Sequence, residues 1–134
     1  MAIVLDTNIL IDLEHGHKVM IEELNDILNE RPAITVVNKY EYLRGISASS
    51  LPVEKKEKQI YFLNQLVVYE FTSETTTYCA DLYTKLRKIG KQINELDILI
   101  LGICVENRVK LVTNDQDFKG LDKIAGIEVK VLNY

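Results

Sequence analysis

Four carboxylates of this chain stand at positions where they could act together, although they are far apart in sequence. They are Asp6, Glu41, Asp97 and Asp115. Asp6 directly follows the apolar run at residues 2–5, and Asp115 follows the apolar run at residues 109–112 after only two polar residues. These two acids should lie just beyond the ends of buried strands, which is the edge where open parallel sheets bind ligands. The layout is that of a metal site.

Electrostatics determines what such a cluster can do. Two carboxylates about 5 Å apart repel each other by roughly 3 kcal/mol at an effective dielectric constant of about 20, so a cluster of them is costly without a cation. Mg²⁺ and Mn²⁺ prefer carboxylate and water oxygens. Such an ion can lower the pKa of a bound water so that it attacks phosphorus near neutral pH. The acids therefore predict metal-dependent hydrolysis of a phosphate ester with no side-chain nucleophile.

Each acid also has an ordinary structural interpretation. Asp6 could merely cap a helix, and Glu41 could be an exposed helical acid with basic neighbours. Asp115 could cap the turn that follows it, with Asp117 as an accessory ligand or a solvated acid. Asp97 could be a surface cap, but it adjoins an apolar stripe, where an acid is seldom buried without a partner.

The elements that must position these acids alternate between strands and helices. Strands are predicted at residues 2–5, 33–37, 67–71, 109–112 and 127–131. Helices are predicted up to Leu13, over 20–28, 38–44 and 54–66, from Thr72 or Ser73 to Ile89, and from Asn94. Strands separated by helices imply parallel pairing through right-handed crossovers. We therefore predict an α/β fold, a three-layer α/β/α sandwich with a central, mostly parallel sheet of about five strands.

Helix boundaries place the two acids that do not follow strands. Asn38 is predicted to cap a helix that ends before Gly45, which puts Glu41 one turn into it. Asn94 is predicted to begin a late helix, which puts Asp97 in the first turn, where the positive end of the helix dipole favours a carboxylate. The pair Arg31-Pro32 should end the helix over 20–28. Residues 47–52 are the most loop-like stretch.

Length and composition favour one domain over residues 1–134, because 47% of the 134 residues are hydrophobic. No apolar run approaches a membrane span and no leader is recognised, so we expect a cytoplasmic protein. A disulfide between Cys79 and Cys104 is not expected, and His15 and His17 make a poor transition-metal site. The net charge of −4 argues against nucleic-acid binding by broad charge neutralisation.

The basic residues are clustered rather than spread along the chain. One cluster comprises Lys55, Lys56 and Lys58, and the other comprises Lys85, Arg87, Lys88 and Lys91. Solvated helix faces are the favoured interpretation of both, and phosphate contacts are the alternative. An acidic pocket filled by divalent cations would reverse its local field, so the overall charge does not exclude a nuclease.

Taken together, these motifs resemble the PIN domain family. The resemblance rests on Val4 to Asn8, on Glu41 to Gly45, on Asp97 at the start of a late helix, and on Val112 to Phe118. It covers essentially the whole chain, and the small size is similar to that of the VapC-type toxins of toxin–antitoxin pairs.

This resemblance implies a Mg²⁺- or Mn²⁺-dependent endoribonuclease with one or two ions. Asp6, Glu41, Asp97 and Asp115 would be the catalytic and metal-binding residues. Thr7, Asn8, Thr113 and Asp117 would support them. The implied partners are an RNA substrate, a second copy of the chain in a homodimer, and a cognate antitoxin that covers the groove.

One departure from the family pattern concerns the helix that carries Asp97. The family often has a run of alanines after this acid, whereas residues 98–104 here are bulkier, so we expect looser helix packing without loss of a ligand. Two other functions stay open. A PIN-fold module that binds RNA or protein without catalysis is one. An aspartate-based phosphatase is the other, although Asn8 stands where it would need a second acid.

Overall fold

The sheet is parallel throughout and has β1 at its centre. The computed structural model describes residues 2–16, 18, 21, 22, 25 and 30–134. Within these residues the strands are β1 (Ala2–Leu5), β2 (Arg31–Thr35), β3 (Val67–Tyr69), β4 (Lys110–Thr113) and β5 (Val129–Val131). Their order is β3-β2-β1-β4-β5, with every neighbouring pair parallel. The predicted parallel sheet is confirmed.

Helices cover both faces of this sheet. The described helices are α1 (Thr7–Glu14), α2 (Val36–Ala48), α3 (Val53–Asn64), α4 (Thr75–Lys88), α5 (Glu95–Asn107) and α6 (Asp122–Ala125), with a 3₁₀ turn at Gln116–Phe118. Val4 and Leu111 belong to a core shared with α4 and α5. Ile3 packs with α1 on the opposite face, and Ile34 with α1, α2 and α3. Because side chains alternate along each strand, both faces are buried and the three-layer sandwich is confirmed.

The predicted boundary between β2 and α2 is wrong by several residues. β2 spans Arg31–Thr35 rather than 33–37, with Pro32 inside it near the start of the strand, where proline is tolerated. α2 begins at Val36 because Thr35, not Asn38, is its N-cap, and the two residues form a reciprocal capping box. Their side chains satisfy both backbone N–H groups, which outweighs the strand preference of the two valines at 36 and 37.

α2 also continues past its predicted end. Gly45 does not stop it, and the helix runs to Ala48, so the predicted loop starts later than residue 47. A helix-interior glycine costs only about 1 kcal/mol relative to alanine. Burial of Ile46 in the core beside Tyr42 offsets that cost.

Several other boundaries differ from expectation. α4 starts after Glu74, which makes no side-chain cap, while Thr75 accepts the Thr72 N–H at 2.9 Å. Tyr78 and Ile89, predicted in the inner stripe of α4, are 40% and 59% exposed. β3 and β5 are shorter than predicted. The predicted helix over 20–28 falls mostly outside the described residues.

The helix carrying Asp97 packs more closely than expected. A Cβ placed on Gly102 of α5 would clash with the Cys79 Sγ of α4, so any larger residue there would force Cys79 to shift. Bulky side chains on other faces of α5 are buried too, including Ile98, Leu101 and Ile103. α5 contacts α4, α2, β2 and β4, which explains why more than one stripe is apolar. The expectation of looser packing is wrong at the α4–α5 contact.

Within the described ranges, no helix combines the length and apolarity that a bilayer span requires. Cys79 and Cys104 are both buried free thiols, as expected.

Candidate active site

Asp6 occupies the point where the chain crosses from one half of the sheet to the other. It follows β1, whose neighbours are β2 and β4, and its backbone N–H donates to the Val112 carbonyl at 2.9 Å. Ligands of doubly wound sheets bind at such a switch point, beyond the carboxyl ends of the strands. Its carboxylate also caps α1 by accepting the Thr7 N–H at 2.9 Å. The capping interpretation is therefore correct, but it describes only one of the contacts of Asp6.

The Asp6 carboxylate is held by three hydrogen bonds. Besides the Thr7 N–H, Oδ1 accepts from Asn38 Nδ2 at 3.2 Å, and Oδ2 accepts from the Thr113 hydroxyl at 2.7 Å. Asp6 is only 6% exposed. Burial raises its pKa above the ordinary value in spite of these donors, and the charge of Asp115 adds to the rise. A carboxylate has about four lone-pair sites, so capacity for roughly one further partner remains.

Glu41 is tied to Asp6 through two neutral side chains. The Thr7 hydroxyl donates to Glu41 Oε1 at 2.9 Å and accepts from Asn38 Nδ2 at 3.1 Å. Burial raises the pKa of Glu41, and the nearby charge of Asp6 raises it further, against the lowering effects of Thr7 and Arg44. The purely exposed interpretation of Glu41 is thus inconsistent with the structure.

Asn38 is the residue whose role the sequence analysis missed. Its side-chain Oδ1 accepts from the Thr35 backbone N–H at 3.0 Å and from the Thr35 hydroxyl at 2.7 Å. The other end of the same amide donates to Asp6 and Thr7. Thr35 and Asn38 are both fully buried. The three-residue spacing of a capping box was the available signal, because it fixes one end of the Asn38 amide and turns the other toward Asp6.

Asp97 enters the pocket from the first turn of α5. Asn94 caps this helix as predicted, accepting the Leu96 N–H at 2.9 Å. The Asp97 carboxylate is half-buried and receives no hydrogen bond from any residue in the described part of the chain. Its pKa is raised to about 7, mainly by burial and further by the negative charges of Asp6, Asp115, Glu41 and Asp117. All four carboxylates predicted to share a site therefore lie close enough to interact.

Asp115 approaches from the end of β4. Its backbone N–H donates to the Thr113 hydroxyl at 3.0 Å, the same hydroxyl that donates to Asp6. Its carboxylate caps the 3₁₀ turn by accepting the Asp117 N–H at 2.9 Å. Thr113 thus fixes the relation between Asp6 and Asp115.

The predicted supporting residues fall into two groups. Thr7 and Thr113 bond directly to the acids, as described above. Asn8 and Asp117 are exposed at the border, where the Asp117 charge still acts on Asp97. His15 is exposed and His17 lies outside the described residues.

Little positive charge compensates these acids. No salt bridge between described residues involves Asp6, Glu41, Asp97 or Asp115. The basic clusters lie elsewhere: Lys85 pairs with Asp81, and Lys91 donates to the Lys119 carbonyl. Apart from the effect of Arg44 on Glu41, these acids raise one another's pKa, and carboxylate oxygens are donors that Mg²⁺ and Mn²⁺ prefer.

The described side chains of the pocket nevertheless do not form a complete metal-binding site on their own. Among the residues the structure describes, no three His, Cys, Asp or Glu side chains are arranged to hold a metal ion together. The mutual pKa effects show interacting charges, and the absence of a cage shows that they do not already converge on one point. Mg²⁺ commonly uses one or two carboxylates and completes its shell with water and substrate phosphates. The donors therefore fit such an ion chemically, with water and substrate phosphates completing its shell.

Known proteins share this architecture. Ribonuclease VapC2 of Rickettsia felis is 28% identical to this chain over 127 residues, which span 92% of this chain and 95% of that protein. The structure of VapBC2 from Rickettsia felis bound to a DNA fragment from their promoter matches with a TM-score of 0.80 at 25% identity, covering 99% of this chain and 100% of that chain. VapBC-5 from Mycobacterium tuberculosis, a member of the VapBC family of toxin-antitoxin systems, matches with a TM-score of 0.71 at 24% identity over 98% of both chains.

The family assignment rests on a match along most of the sequence. The model of the PIN domain family aligns with residues 3–124, which include all four acids of the pocket. This confirms the resemblance inferred from the motifs. The chain belongs to the PIN domain family.

Proposed function

We propose that this protein is a divalent-metal-dependent endoribonuclease that hydrolyses RNA phosphodiester bonds at its acidic pocket. Asp6, Glu41, Asp97 and Asp115 are its catalytic and metal-binding residues. The observation that carries the proposal is the placement of Asp6 at the switch point of the sheet, held by Asn38 and Thr113, with the charges of the other three acids close enough to interact. Such a cluster destabilises the metal-free fold, so its presence is explained by a function that needs the charges.

Some of these residues would bind the metal ion, and others orient the residues that bind it. A Mg²⁺ or Mn²⁺ ion held by these carboxylates would lower the pKa of a water and stabilise negative charge on the phosphate. Thr113 and Asn38 fix both oxygens of Asp6, and Thr7 fixes Glu41. Asp97 is free of hydrogen bonds from described residues and supplies the most available oxygens. Asn8 and Asp117 support the exposed border of the pocket.

The proposal that RNA is the substrate comes from the similar proteins. The Rickettsia felis relative is named a ribonuclease, and the similar structures are VapBC complexes. By the same likeness we propose that this protein is the toxin of a toxin–antitoxin pair, with a cognate antitoxin as partner, and that it works as a homodimer in the cytoplasm.

Two other functions are less well supported. A non-catalytic binding module would have no reason to keep four carboxylates that raise one another's pKa. An aspartate-based phosphatase needs a second acid near Asp6, and the exposed Asn8 is an amide. Neither alternative accounts for the approach of Asp97 from α5.

A metal-titrated cleavage assay on a mixed RNA pool tests the proposal. We expect cleavage that requires Mg²⁺ or Mn²⁺, stops with chelator, and is lost in Asp6→Asn. Asp12→Asn is the matched control, because Asp12 belongs to α1 but accepts from the Tyr134 hydroxyl outside the pocket. Cleavage by chelator-treated protein, or wild-type rates in Asp6→Asn, would refute the assignment.

A further inference from the structure

A separate cavity adjoins the acidic pocket at Glu41. It has a volume of about 240 Å³ and lies between α1, α2 and α3. Glu41 lines it on α2 together with Gly45, which is four residues further along and therefore on the same helix face. A ligand in this cavity would sit beside a residue of the proposed catalytic site.

The lining is apolar with hydrogen-bond acceptors at its edge. Ile11 and Ile46 contribute apolar surface from α1 and α2. Glu14 and Glu41 contribute carboxylates, and the Tyr42 hydroxyl is already used as a donor to Glu14. No Lys or Arg is found among the described residues that line the cavity, and the imidazole that does line it, His15, is exposed to solvent. This chemistry disfavours a phosphate group and suits a flat, uncharged ring that carries N–H donors.

Gln59 of α3 provides an unsatisfied acceptor at this cavity. Its Oε1 is buried and has no hydrogen-bond partner among the described residues. A buried polar atom left without a partner destabilises the fold. A ligand N–H that reached this oxygen would recover that cost.

Gly45 keeps space open at the same cavity. A Cβ built on Gly45 would meet no heavy atom within 4 Å, so packing does not require glycine here. The residue has no positive φ and lies inside α2, where glycine weakens the helix relative to alanine. Gly45 is exposed, so a side chain placed there would extend into open space beside the cavity.

We propose that this cavity binds the nucleobase next to the scissile phosphate and that the Gln59 amide reads the N–H donors of its edge. Its volume is below the roughly 300–1,000 Å³ of pockets for drug-sized ligands, which fits a single ring system. Guanine is the favoured base, because its ring N–H and 2-amino group present adjacent donors to an acceptor-rich wall. The inference rests on the proposed ribonuclease function and adds a source of sequence preference, which phosphate contacts alone do not supply.

Two variants test the cavity from opposite directions. Gln59→Leu removes the amide at similar size, and Gly45→Leu places a side chain in the open space beside the cavity while improving helix propensity. Gln65→Leu is the matched control, since the exposed Gln65 amide bonds only to the Tyr61 carbonyl within the described chain. Sequencing of the ends produced from a random RNA pool gives the base preference at each position flanking the cut.

We expect the wild-type protein to prefer guanine at one flanking position. Both cavity variants should reduce that preference by about tenfold, the scale of one good base contact, while Gln65→Leu keeps it. Cleavage should still require the divalent ion in every variant. An unchanged preference in Gln59→Leu and Gly45→Leu would overturn the inference.

Nucleoside binding separates this inference from the proposed function. If no RNA is cleaved, the four ribonucleosides are titrated into the metal-free protein and followed by NMR at the Gln59 side-chain amide. Guanosine binding that is lost in Gly45→Leu would support the base site even though the nuclease assignment had failed. No binding to wild type would overturn it.

Discussion

At the residue scale, the pocket is governed by burial and like charge. Asp6 accepts three hydrogen bonds, yet its pKa is raised because burial outweighs them. Asp97 has no such donors among the described residues, and its pKa reaches about 7. In the folded, metal-free protein the ionised Asp97 is therefore disfavoured relative to the unfolded chain, whose Asp has an ordinary pKa of 3.8.

This difference predicts a pH-dependent stability. Between pH values of about 4 and 7 the folded protein keeps a proton on Asp97 that the unfolded chain has released, so stability falls as pH rises through this window. Asp97→Asn should flatten that fall and stabilise the chelator-treated protein above pH 7 by on the order of 1–2 kcal/mol, after discounting for partial exposure. Denaturant unfolding at a series of pH values measures it. Asp6 and Glu41 shift in the same direction, so part of the slope should remain.

Glu95→Gln is the control for this measurement. Glu95 is an exposed acid in the same helical turn as Asp97, and the pKa of Asp97 does not depend on its charge. Its removal should leave the slope unchanged. A slope in Asp97→Asn equal to that of the wild type would show that Asp97 is not strained by its neighbours.

At this scale the proximity of the acids could be predicted from the sequence, whereas the position of the Asn38 amide could not. Asp6 and Asp115 could be placed because a polar residue after a buried apolar run lies at the strand end. The sequence correctly predicts that Asn38 lies at the start of a helix, but wrongly predicts it as the N-cap, which is Thr35. Its actual contacts join residues up to 32 positions apart, and the sequence carries no signal for such a long-range hydrogen bond.

At the element scale, α5 is positioned by its contact with α4. Gly102 lets the Cys79 side chain approach the α5 backbone, and this fixes the helix whose first turn carries Asp97. The sequence suggested weaker packing because bulky residues replaced small ones. The distance between the two helices depends more on the one glycine at their crossing point than on the average size of the side chains. Which residue lies at the crossing point is set by the tertiary structure and cannot be read from the sequence.

We predict that Gly102→Ala destabilises the protein by about 1–3 kcal/mol, the usual cost of overpacking a core. Chemical denaturation with a two-state fit provides the free energy of unfolding. In the double variant Gly102→Ala with Cys79→Ala the clashing Sγ is gone, so much of the loss should be recovered. If the double variant loses as much stability as the two single variants combined, the predicted clash does not exist.

At the scale of the whole molecule, strand order brings distant residues together. The sheet order places β1 between β2 and β4, so Asp6 meets residues from both halves of the chain. The alternation of strands and helices was enough to predict the layers and the parallel sheet. It did not predict the cavity beside Glu41, because a volume between three helices depends on their separation rather than on any local pattern.

The single-turnover cleavage rate of Asp97→Asn at saturating Mn²⁺ shows whether the clustered acids cleave RNA with a divalent ion. Asp97 contacts no other described residue by hydrogen bond, so its amide variant should fold normally while losing activity by about 10²-fold or more, the scale of losing one electrostatic group at a reaction centre. Glu95→Gln, measured beside it, should cleave at the wild-type rate. Equal rates for the wild type and Asp97→Asn would contradict the account.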